Sequence, residues 1–176
     1  MSIREVDYQG NKRWYENGDL HREDGPSIVY NDGDIEWYKN GLLHREDGPA
    51  VVYANGSQYW WLNGLLHRDD GPAVEWADGG AAWYKTGKLH RGDGPAVQWA
   101  NGLKEWWIDG CFHRNDGPAV EYPNGYKSWW LNGMRHRDDG PAVVWNNKIE
   151  WWLYDKKYTK EEFILLQFSK GTIINE

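Results

Sequence analysis

The histidines of this chain are spaced with a fixed period of 23 residues. All six occupy the same point of a repeated phrase, His-Arg-x-Asp-Gly-Pro: His21, His44, His67, His90, His113 and His136. A period of about 20 to 50 residues is typical of repeat proteins, in which one supersecondary unit is copied along the chain. Every candidate reactive residue recurs in each copy, whereas a catalytic centre is normally built once. The repeat therefore favours a binding surface over an enzyme.

Each copy contains two turn signals that separate short runs of residues with β-strand character. In one copy, Asn55-Gly56 follows the run 50–53, and Asn63-Gly64 follows the run 57–62. Asn-Gly between such runs is the strongest short signal for a two-residue type I′ hairpin turn. The repeats show no helical period, so the predicted fold class is all-β. We expect an elongated single-domain sheet of tandem β-hairpins, with six 23-residue repeats and a partial one.

A two-residue turn at Asn55-Gly56 would fix the pairing of the strands on either side of it. It would place Val51 opposite Trp60. Because side chains alternate between the two faces of a strand, Val51, Tyr53 and Trp60 are expected on one face. The other face would then carry the intervening side chains: Ala50, Val52, Tyr59, Trp61 and Leu66.

The first of these faces has uniform columns, which is typical of a core. It carries Val or Ile, then Tyr or Trp, then a tryptophan without exception. The invariant tryptophans are Trp14, Trp37, Trp60, Trp83, Trp106, Trp129 and Trp152. The column of Tyr or Trp consists of Tyr30, Tyr53, Trp76, Trp99, Tyr122 and Trp145. We therefore expect these rings to pack from copy to copy.

The second face is mixed and is the predicted binding face. Its aromatic column consists of Tyr38, Trp61, Tyr84, Trp107 and Trp130, and the polar column beside it includes Glu75, Gln98 and Glu121. Exposed aromatic side chains among polar ones are typical of protein-binding surfaces. The alternative is that a curling sheet partly covers both faces.

The last copy loses its turn signals, and the start of a helix follows it. Thr159 and Glu162 have the spacing of a capping box, so we expect a short amphipathic helix from about Lys160 to Lys170. Its inward-facing side chains would be Phe163, Leu166 and Phe168. A strand in Ser2 to Tyr8 would cover the other end. The predicted organisation is a repeat array over 1–158, then a capping helix and tail over 159–176.

The charge and the single cysteine limit the possible partners and compartments. The formal charge is −7 with a pI near 5.4, whereas nucleic acids and anionic membranes attract basic surfaces. Cys111 is the only cysteine, so no intrachain disulfide can form. No signal peptide or long apolar run is present. We expect a cytoplasmic protein that binds neither nucleic acid nor membrane.

The repeated His-Arg-x-Asp-Gly-Pro phrase allows a chemical and a structural interpretation. Metal binding is not expected, because one copy offers too few ligands. No nucleophile or phosphate loop recurs beside the histidines, so neither catalysis nor a cofactor is expected. In the structural interpretation, Asp-Gly-Pro forms a tight turn with a glycine φ that only glycine favours, and Arg pairs with Asp. Alternatively, an arginine row could bind phosphates: Arg45, Arg68, Arg91 and Arg114.

The residues from Trp60 to Val74 resemble those of a known repeat family. The segment is similar to MORN repeats, more closely to their variant form. The similarity lies in the 23-residue period and in the sequence Trp-Trp-Leu-Asn-Gly-Leu-Leu-His-Arg-Asp-Asp-Gly-Pro-Ala-Val. The resemblance covers roughly residues 8–155. It implies tandem β-hairpins and a scaffolding or binding role without catalytic activity. Variant arrays also occur in bacterial immunity-type proteins and in phage accessory proteins. His-Arg-x-Asp replaces the Gly-rich text of the usual signature, which argues against the lipid binding known in the family.

Three hypotheses follow from the sequence. The first is a non-enzymatic scaffold that binds a partner protein; given the phage-like wording, the partner would be a host or defence protein that the chain inhibits. The second is a sponge that sequesters a nucleotide-type small molecule between arginine and aromatic columns. The third is a homodimer formed through a sheet edge, since an unpaired edge can pair with a second copy.

Overall fold

The computed structural model describes residues 3–170. By their internal contacts the residues divide into two compact units, Met1–Lys88 and Leu89–Glu176. The strands that begin in the first unit are β1 (Ile3–Val6), β2 (Lys12–Glu16), β3 (Asp19–Leu20), β4 (Ile28–Val29), β5 (Ile35–Glu36), β6 (Tyr38–Lys39), β7 (Leu42–Leu43), β8 (Val51–Val52), β9 (Gln58–Tyr59), β10 (Trp61–Leu62), β11 (Leu65–Leu66), β12 (Val74–Glu75), β13 (Ala81–Ala82), β14 (Tyr84–Lys85) and β15 (Lys88–Leu89).

The second unit continues the same pattern and ends in a helix. Its elements are β16 (Val97–Gln98), β17 (Lys104–Glu105), β18 (Trp107–Ile108), β19 (Cys111–Phe112), β20 (Val120–Glu121), β21 (Lys127–Ser128), β22 (Trp130–Leu131), β23 (Met134–Arg135), β24 (Val143–Trp145), β25 (Lys148–Leu153), β26 (Lys156–Tyr158) and α1 (Lys160–Lys170). Among the residues described, no helix combines the length and the apolar character that a membrane crossing requires.

Each copy contributes one hairpin to a main antiparallel sheet and a second, smaller hairpin beside it. In the first unit the main strands follow the order β1-β2-β4-β5-β8-β9-β12-β13, and the small hairpins include β6-β7 and β10-β11. In the second unit the order is β16-β17-β20-β21-β24-β25-β26, with the small hairpins β18-β19 and β22-β23. The predicted all-β fold of tandem hairpins with a C-terminal helix is confirmed.

The second turn of each copy has the geometry that its sequence predicts. Trp61 pairs with Leu66 and Leu62 with Leu65, which leaves the two-residue turn Asn63-Gly64. Both turn residues have positive φ, 51° for Asn63 and 77° for Gly64. Positive φ at both positions defines a type I′ turn and explains why Asn and Gly occupy it.

The first turn is one residue longer than predicted, and the predicted register is therefore wrong. Val51 pairs with Tyr59 rather than Trp60, and the Tyr53 N–H donates to the Ser57 carbonyl over 2.9 Å. The loop is the three-residue segment 54–56. Of its residues only Gly56 has positive φ, at 93°. This matches a three-residue hairpin loop in which a glycine follows a type I turn as a bulge.

The changed register redistributes the side chains between the two faces. The Tyr53 and Tyr59 rings meet edge to face with centroids 5.4 Å apart, so Tyr59 shares the face of Val51 and Tyr53; we name this side the aromatic face. The other side, the arginine face, carries the invariant tryptophans together with the arginines. Arg68, for example, lies over the Trp60 ring.

The core consists of smaller side chains than predicted. The valine column is buried, as expected, and so is the small residue before each valine. These small residues are 0% exposed: Ser27, Ala50, Ala73, Ala96, Ala119 and Ala142. The invariant tryptophans are half-buried. In the column of Tyr or Trp, four rings predicted to be core are 38% to 42% exposed: Tyr53, Trp99, Tyr122 and Trp145. For these four the core prediction is wrong.

The C-terminal helix has the predicted bounds and the predicted cap. The Thr159 hydroxyl accepts the Glu162 N–H over 3.2 Å, and the Glu162 carboxylate accepts the Thr159 N–H over 2.8 Å. Phe163 is fully buried against Trp151, with ring centroids 4.7 Å apart, whereas Phe168 is 74% exposed and faces solvent. Gln167 is the buried side chain of the last turns instead. The tail expected after residue 170 and Ser2 lie outside the described residues.

Candidate functional site

The arginine of every copy is held by groups of its own copy. Its Nε donates to the Asp two residues later over 2.7 to 2.9 Å, and its Nη1 donates to the following proline carbonyl over 3.2 to 3.4 Å. Five guanidinium groups lie 4.0 to 4.2 Å above an invariant tryptophan ring: Arg22, Arg45, Arg68, Arg114 and Arg137. Arg is expected to pair with an Asp of its own or of a neighbouring copy, and the structure shows the Asp of the same copy as the partner.

The glycine of the phrase leaves room for this arginine. A Cβ on Gly117 would lie 2.8 Å from Arg114 Cζ, and the equivalent glycines show distances up to 3.2 Å. None of these glycines has positive φ. The expectation that they supply a conformation available only to glycine is therefore wrong. What the position requires is the absence of a side chain beneath the guanidinium group.

The ion pair also changes the titration of the aspartates. The hydrogen bond from the neighbouring guanidinium group, together with its charge, lowers the pKa of five of them: Asp24, Asp47, Asp70, Asp93 and Asp116. These carboxylates are highly exposed, whereas the arginine side chains are only 22% to 26% exposed. In each cluster the aspartate carboxylate is therefore exposed to solvent, whereas the arginine side chain is largely covered.

Each histidine connects its copy to the turn of the next. The backbone N–H of the first turn residue of the next copy points at the histidine Nδ1 over 3.0 to 3.3 Å. In five copies Nε2 lies within 3.0 to 3.6 Å of an oxygen of a nearby acidic or amide side chain. The histidines thus act in the contact between copies.

Clefts open between neighbouring copies of the phrase. Three of them have volumes of about 600 to 690 Å³. The cleft that contains Arg22 and Arg45 is also lined by four carboxylates: Glu23, Asp24, Glu46 and Asp47. Acidic groups outnumber basic ones there, which disfavours an anion. Among the residues described, no group of three or more His, Cys, Asp or Glu side chains is placed to hold a metal ion.

A different kind of cavity lies on the aromatic face of the second unit. It has a volume of about 390 Å³ and is lined mainly by rings, with one carboxylate at its side. Its lining contains one carboxylate and five rings: Glu105, Phe112, Tyr122, Tyr126, Trp130 and Trp145. The Tyr122 and Tyr126 rings stand at 89° to one another with centroids 5.3 Å apart. Asn124 and the buried Val120 and Ser128 complete the lining.

The aromatic residues predicted to bind a partner are half-buried. The polar atoms of three of them are hydrogen-bonded within the sheet, whereas the buried Nε1 of Trp61 has no hydrogen-bond partner. The Tyr38 hydroxyl donates to Glu36 over 3.0 Å, and burial raises its pKa. Trp107 Nε1 donates to Glu105 over 3.1 Å, and Trp130 Nε1 donates to Ser128 over 2.7 Å. Trp61 and Tyr84 are also half-buried, and burial raises the pKa of Tyr84.

The polar residues predicted beside these rings lie on the opposite side of the sheet. Glu75 accepts from Arg68 over 2.9 Å, and Glu121 accepts from Arg114 over 3.1 Å. Both glutamates therefore belong to the arginine face, and Gln98 occupies the equivalent position of its copy. The structure brings the polar column together with the arginines and separates it from the aromatic column.

Sequence reasoning missed the residues that line the open part of the aromatic face. Tyr122 and Trp145 are 41% and 42% exposed and line the cavity together with Trp130. The uniformity of their column suggested a core. The loop wording Ala54-Asn55-Gly56 could have indicated the bulged three-residue loop, and with it the correct face.

No protein-family model matches the chain, and none of the curated proteins matches it. Its function is therefore inferred from the geometry of the described residues.

Proposed function

We propose that this protein is a non-enzymatic scaffold that binds a partner protein through its aromatic face. The observation that carries the proposal is the cavity of the second unit, where half-exposed rings surround a space of about 390 Å³. Large aromatic side chains in a partly open pocket are the usual energetic centres of protein interfaces.

The location of these rings supports such a role. Tyr122 begins a hairpin loop and Trp145 ends a strand, so both project from a hydrogen-bonded sheet. Their positions are largely fixed before binding, which lowers the entropy cost of ordering an interface. Exposed apolar area of this kind is otherwise unfavourable in water, which supports an interaction site.

The alternative, a sponge for a nucleotide-type small molecule, has less support. It depends on arginines that are free to meet phosphates, namely Arg45, Arg68, Arg91 and Arg114. All four donate to an aspartate and to a proline carbonyl of their own copy. A phosphate would have to displace those contacts and approach the exposed carboxylates at the same time.

The nature of the partner is proposed from the family resemblance. If the chain is a variant MORN protein of the phage type, the partner is a host or defence protein in the cytoplasm that the chain inhibits. The formal charge of −7 favours a partner with a basic surface, because complementary charge speeds encounter.

The experiment is capture of partners from host lysate with three tagged proteins. These are the unaltered chain, a Tyr122→Ala/Trp145→Ala double variant, and a Leu165→Ala variant as control, since Leu165 is 69% exposed on α1. We expect a stoichiometric protein partner that the double variant loses and the control retains. A partner that the correctly folded double variant retains fully would show that the aromatic face does not bind it.

We also propose self-association through β1, the third hypothesis from the sequence. Within residues 3–170 no strand pairs with the outer edge of β1. In an antiparallel pairing centred between Arg4 and Glu5, each Arg4 would lie opposite Glu5 of the second copy. Sedimentation should show a dimer that Arg4→Glu weakens and Arg4→Glu/Glu5→Arg restores. A monomer at all concentrations would exclude it.

A further inference from the structure

We propose that the aromatic cavity of the second unit is a site for an organic cation of the alkylammonium class, which a partner presents as a lysine side chain or its methylated form. This inference rests on the proposed function, because it names the chemistry that the partner would insert. It is carried by the rings, their orientation and the single carboxylate among the lining residues.

The rings provide several surfaces that can face one small group. Phe112, Tyr122, Tyr126, Trp130 and Trp145 all line the cavity. Phe112 is stacked between Trp107 and Trp130, with ring centroids 3.7 and 5.3 Å away, so the ring walls open to a ligand are those of Tyr122, Tyr126 and Trp145. Tyr122 and Tyr126 stand almost perpendicular, at 89°, so they form two walls rather than one flat stack. The face of an aromatic ring is the negative end of its quadrupole and attracts cations within about 6 Å. A space of about 390 Å³ is large enough for an alkylammonium head group.

The charge of the lining has the sign that a cation requires. Glu105 is the carboxylate of the lining, and no Lys or Arg belongs to it. Trp107 Nε1 donates to Glu105 Oε2 over 3.1 Å, which holds the carboxylate at the cavity side. The surrounding rings partly shield Glu105 from water, so its carboxylate acts more strongly there than in open solvent.

The chain already uses the same interaction next to this cavity. Arg135 Cζ lies 5.1 Å from the centroid of Trp130 and 5.1 Å from that of Trp152. Arg135 is not part of the cavity lining, so its guanidinium group does not fill the space. Trp130 therefore already carries one cation over its ring, and that cation lies outside the cavity lining.

The test compares a cation with a neutral molecule of the same shape. The full chain is titrated with choline and separately with 3,3-dimethylbutan-1-ol, and binding is followed through the indole N–H signals of the protein by NMR. We expect choline to shift the Trp130 signal and to bind about tenfold more tightly than the neutral molecule, which corresponds to the upper part of the cation–π range.

Matched variants locate the binding. Trp145→Ala removes a cavity wall, whereas Trp99→Ala removes a ring of the same column with a similar exposure, 41% against 42%. We expect choline binding to weaken about tenfold in Trp145→Ala and Glu105→Gln, and to stay unchanged in Trp99→Ala. Equal binding of choline and the neutral molecule, or no saturable binding of choline, would overturn the proposal.

The same measurements separate this inference from the proposed function. If the neutral molecule competes with the captured partner as well as choline does, the face binds protein but the cavity is an apolar slot. If choline binds selectively while no partner depends on Tyr122 and Trp145, the cation site stands and the protein-binding proposal fails.

Discussion

At the scale of single residues, each arginine joins an invariant tryptophan, an aspartate and a glycine into one cluster. Arg114, for instance, lies 4.0 Å above Trp106 and donates to Asp116 over 2.9 Å. With a side chain only 22% exposed, it can cover apolar ring surface while its charge remains paired. We conclude that the main role of the arginines is to stabilise the fold of each copy.

Replacement of this arginine should measure the contribution of the cluster. Arg114→Gln removes the charge over Trp106 and the ion pair, so we expect the free energy of unfolding to fall by about 1 to 3 kcal/mol. Chemical denaturation measures it, with Lys127→Gln on β21 as a control for the loss of one exposed positive charge. Equal effects of the two substitutions would contradict this role of Arg114.

The glycine of the phrase allows a second test at this scale. Gly117→Ala would place a methyl group 2.8 Å from Arg114 Cζ and force the guanidinium group off its ring. We expect a loss of about 1 to 3 kcal/mol in stability. A Cβ on Gly92 would meet nothing within 4 Å, so Gly92→Ala should be neutral or slightly stabilising. Comparable melting temperatures for both variants would contradict the close-contact explanation.

At the scale of the elements, the two turns of a copy differ by one residue in length, and this difference determines which side chains lie on the aromatic face. The turn at Asn63-Gly64 requires positive φ at both residues, whereas the loop before Ser57 requires it only at Gly56. The last copy departs from this rule, since Trp145 pairs with Lys148 across the two-residue loop Asn146-Asn147.

The bulged loop predicts a ranking of substitutions at Gly56. A Cβ there would meet no atom within 4 Å, but φ is 93°, so the cost should come from the backbone alone. We expect Gly56→Ala to lower stability by about 1 to 2 kcal/mol and Gly56→Asn to lower it less, since Asn tolerates this region better. Thermal unfolding would rank the two variants, and equal stability of Gly56→Ala and the unaltered chain would contradict the expectation.

The capping box of α1 gives a prediction for the helix. Thr159→Ala removes the acceptor of the Glu162 N–H and should reduce stability by about 1 kcal/mol. Thr159→Ser keeps the acceptor and serves as the control. Hydrogen exchange in residues 160–166 should accelerate in the alanine variant alone; unchanged exchange would show that the cap contributes little.

At the scale of the whole molecule, the carboxylates predict sensitivity to acid. Arg13 lowers the pKa of Asp7 from 3.8 to about 2, and Lys157 together with other neighbours lowers that of Glu150 from 4.5 to about 2. The five aspartates beside arginines shift in the same direction. A carboxylate with a lower pKa in the folded state stabilises the fold above its unfolded pKa, and this contribution disappears as pH falls.

The melting temperature should therefore stay level from pH 7 to about pH 5 and fall between about pH 4.5 and pH 2. High salt should reduce the part of the change that comes from the five aspartates beside arginines, because those carboxylates are highly exposed and therefore screened. Glu150→Gln should flatten part of the curve, whereas Glu161→Gln, on the exposed first turn of α1, serves as the control. A melting temperature that does not change down to pH 2 would contradict the prediction.

The sequence predicts some levels of this structure better than others. The all-β fold, the type I′ turns and the helix over 160–170 follow from local signals of turn and cap chemistry. The assignment of faces depends on a single residue of loop length, and Asn55-Gly56 suits both loop types. The register error places Glu75 on the same face as the aromatic column, whereas the assignment of Tyr122 and Trp145 to the core follows from the uniformity of their column. The proposed cation site is lined by side chains from three copies. Short sequence patterns within one copy cannot predict such a contact between copies.

The division between contacts within a copy and contacts between copies has a consequence for how such a chain can change. The guanidinium group of each arginine makes its ion pair and its proline contact within one 23-residue segment. Adjacent segments meet through backbone groups and the histidine, which nearly any copy supplies in the same form. Duplication or loss of one whole segment in the gene would therefore preserve the backbone and histidine contacts between segments. The number and identity of exposed rings, and side-chain contacts between segments such as that of Phe112 with Trp130, would change. Recombination that adds or removes whole copies would change the exposed surface by one copy at a time, and each intermediate chain would still fold.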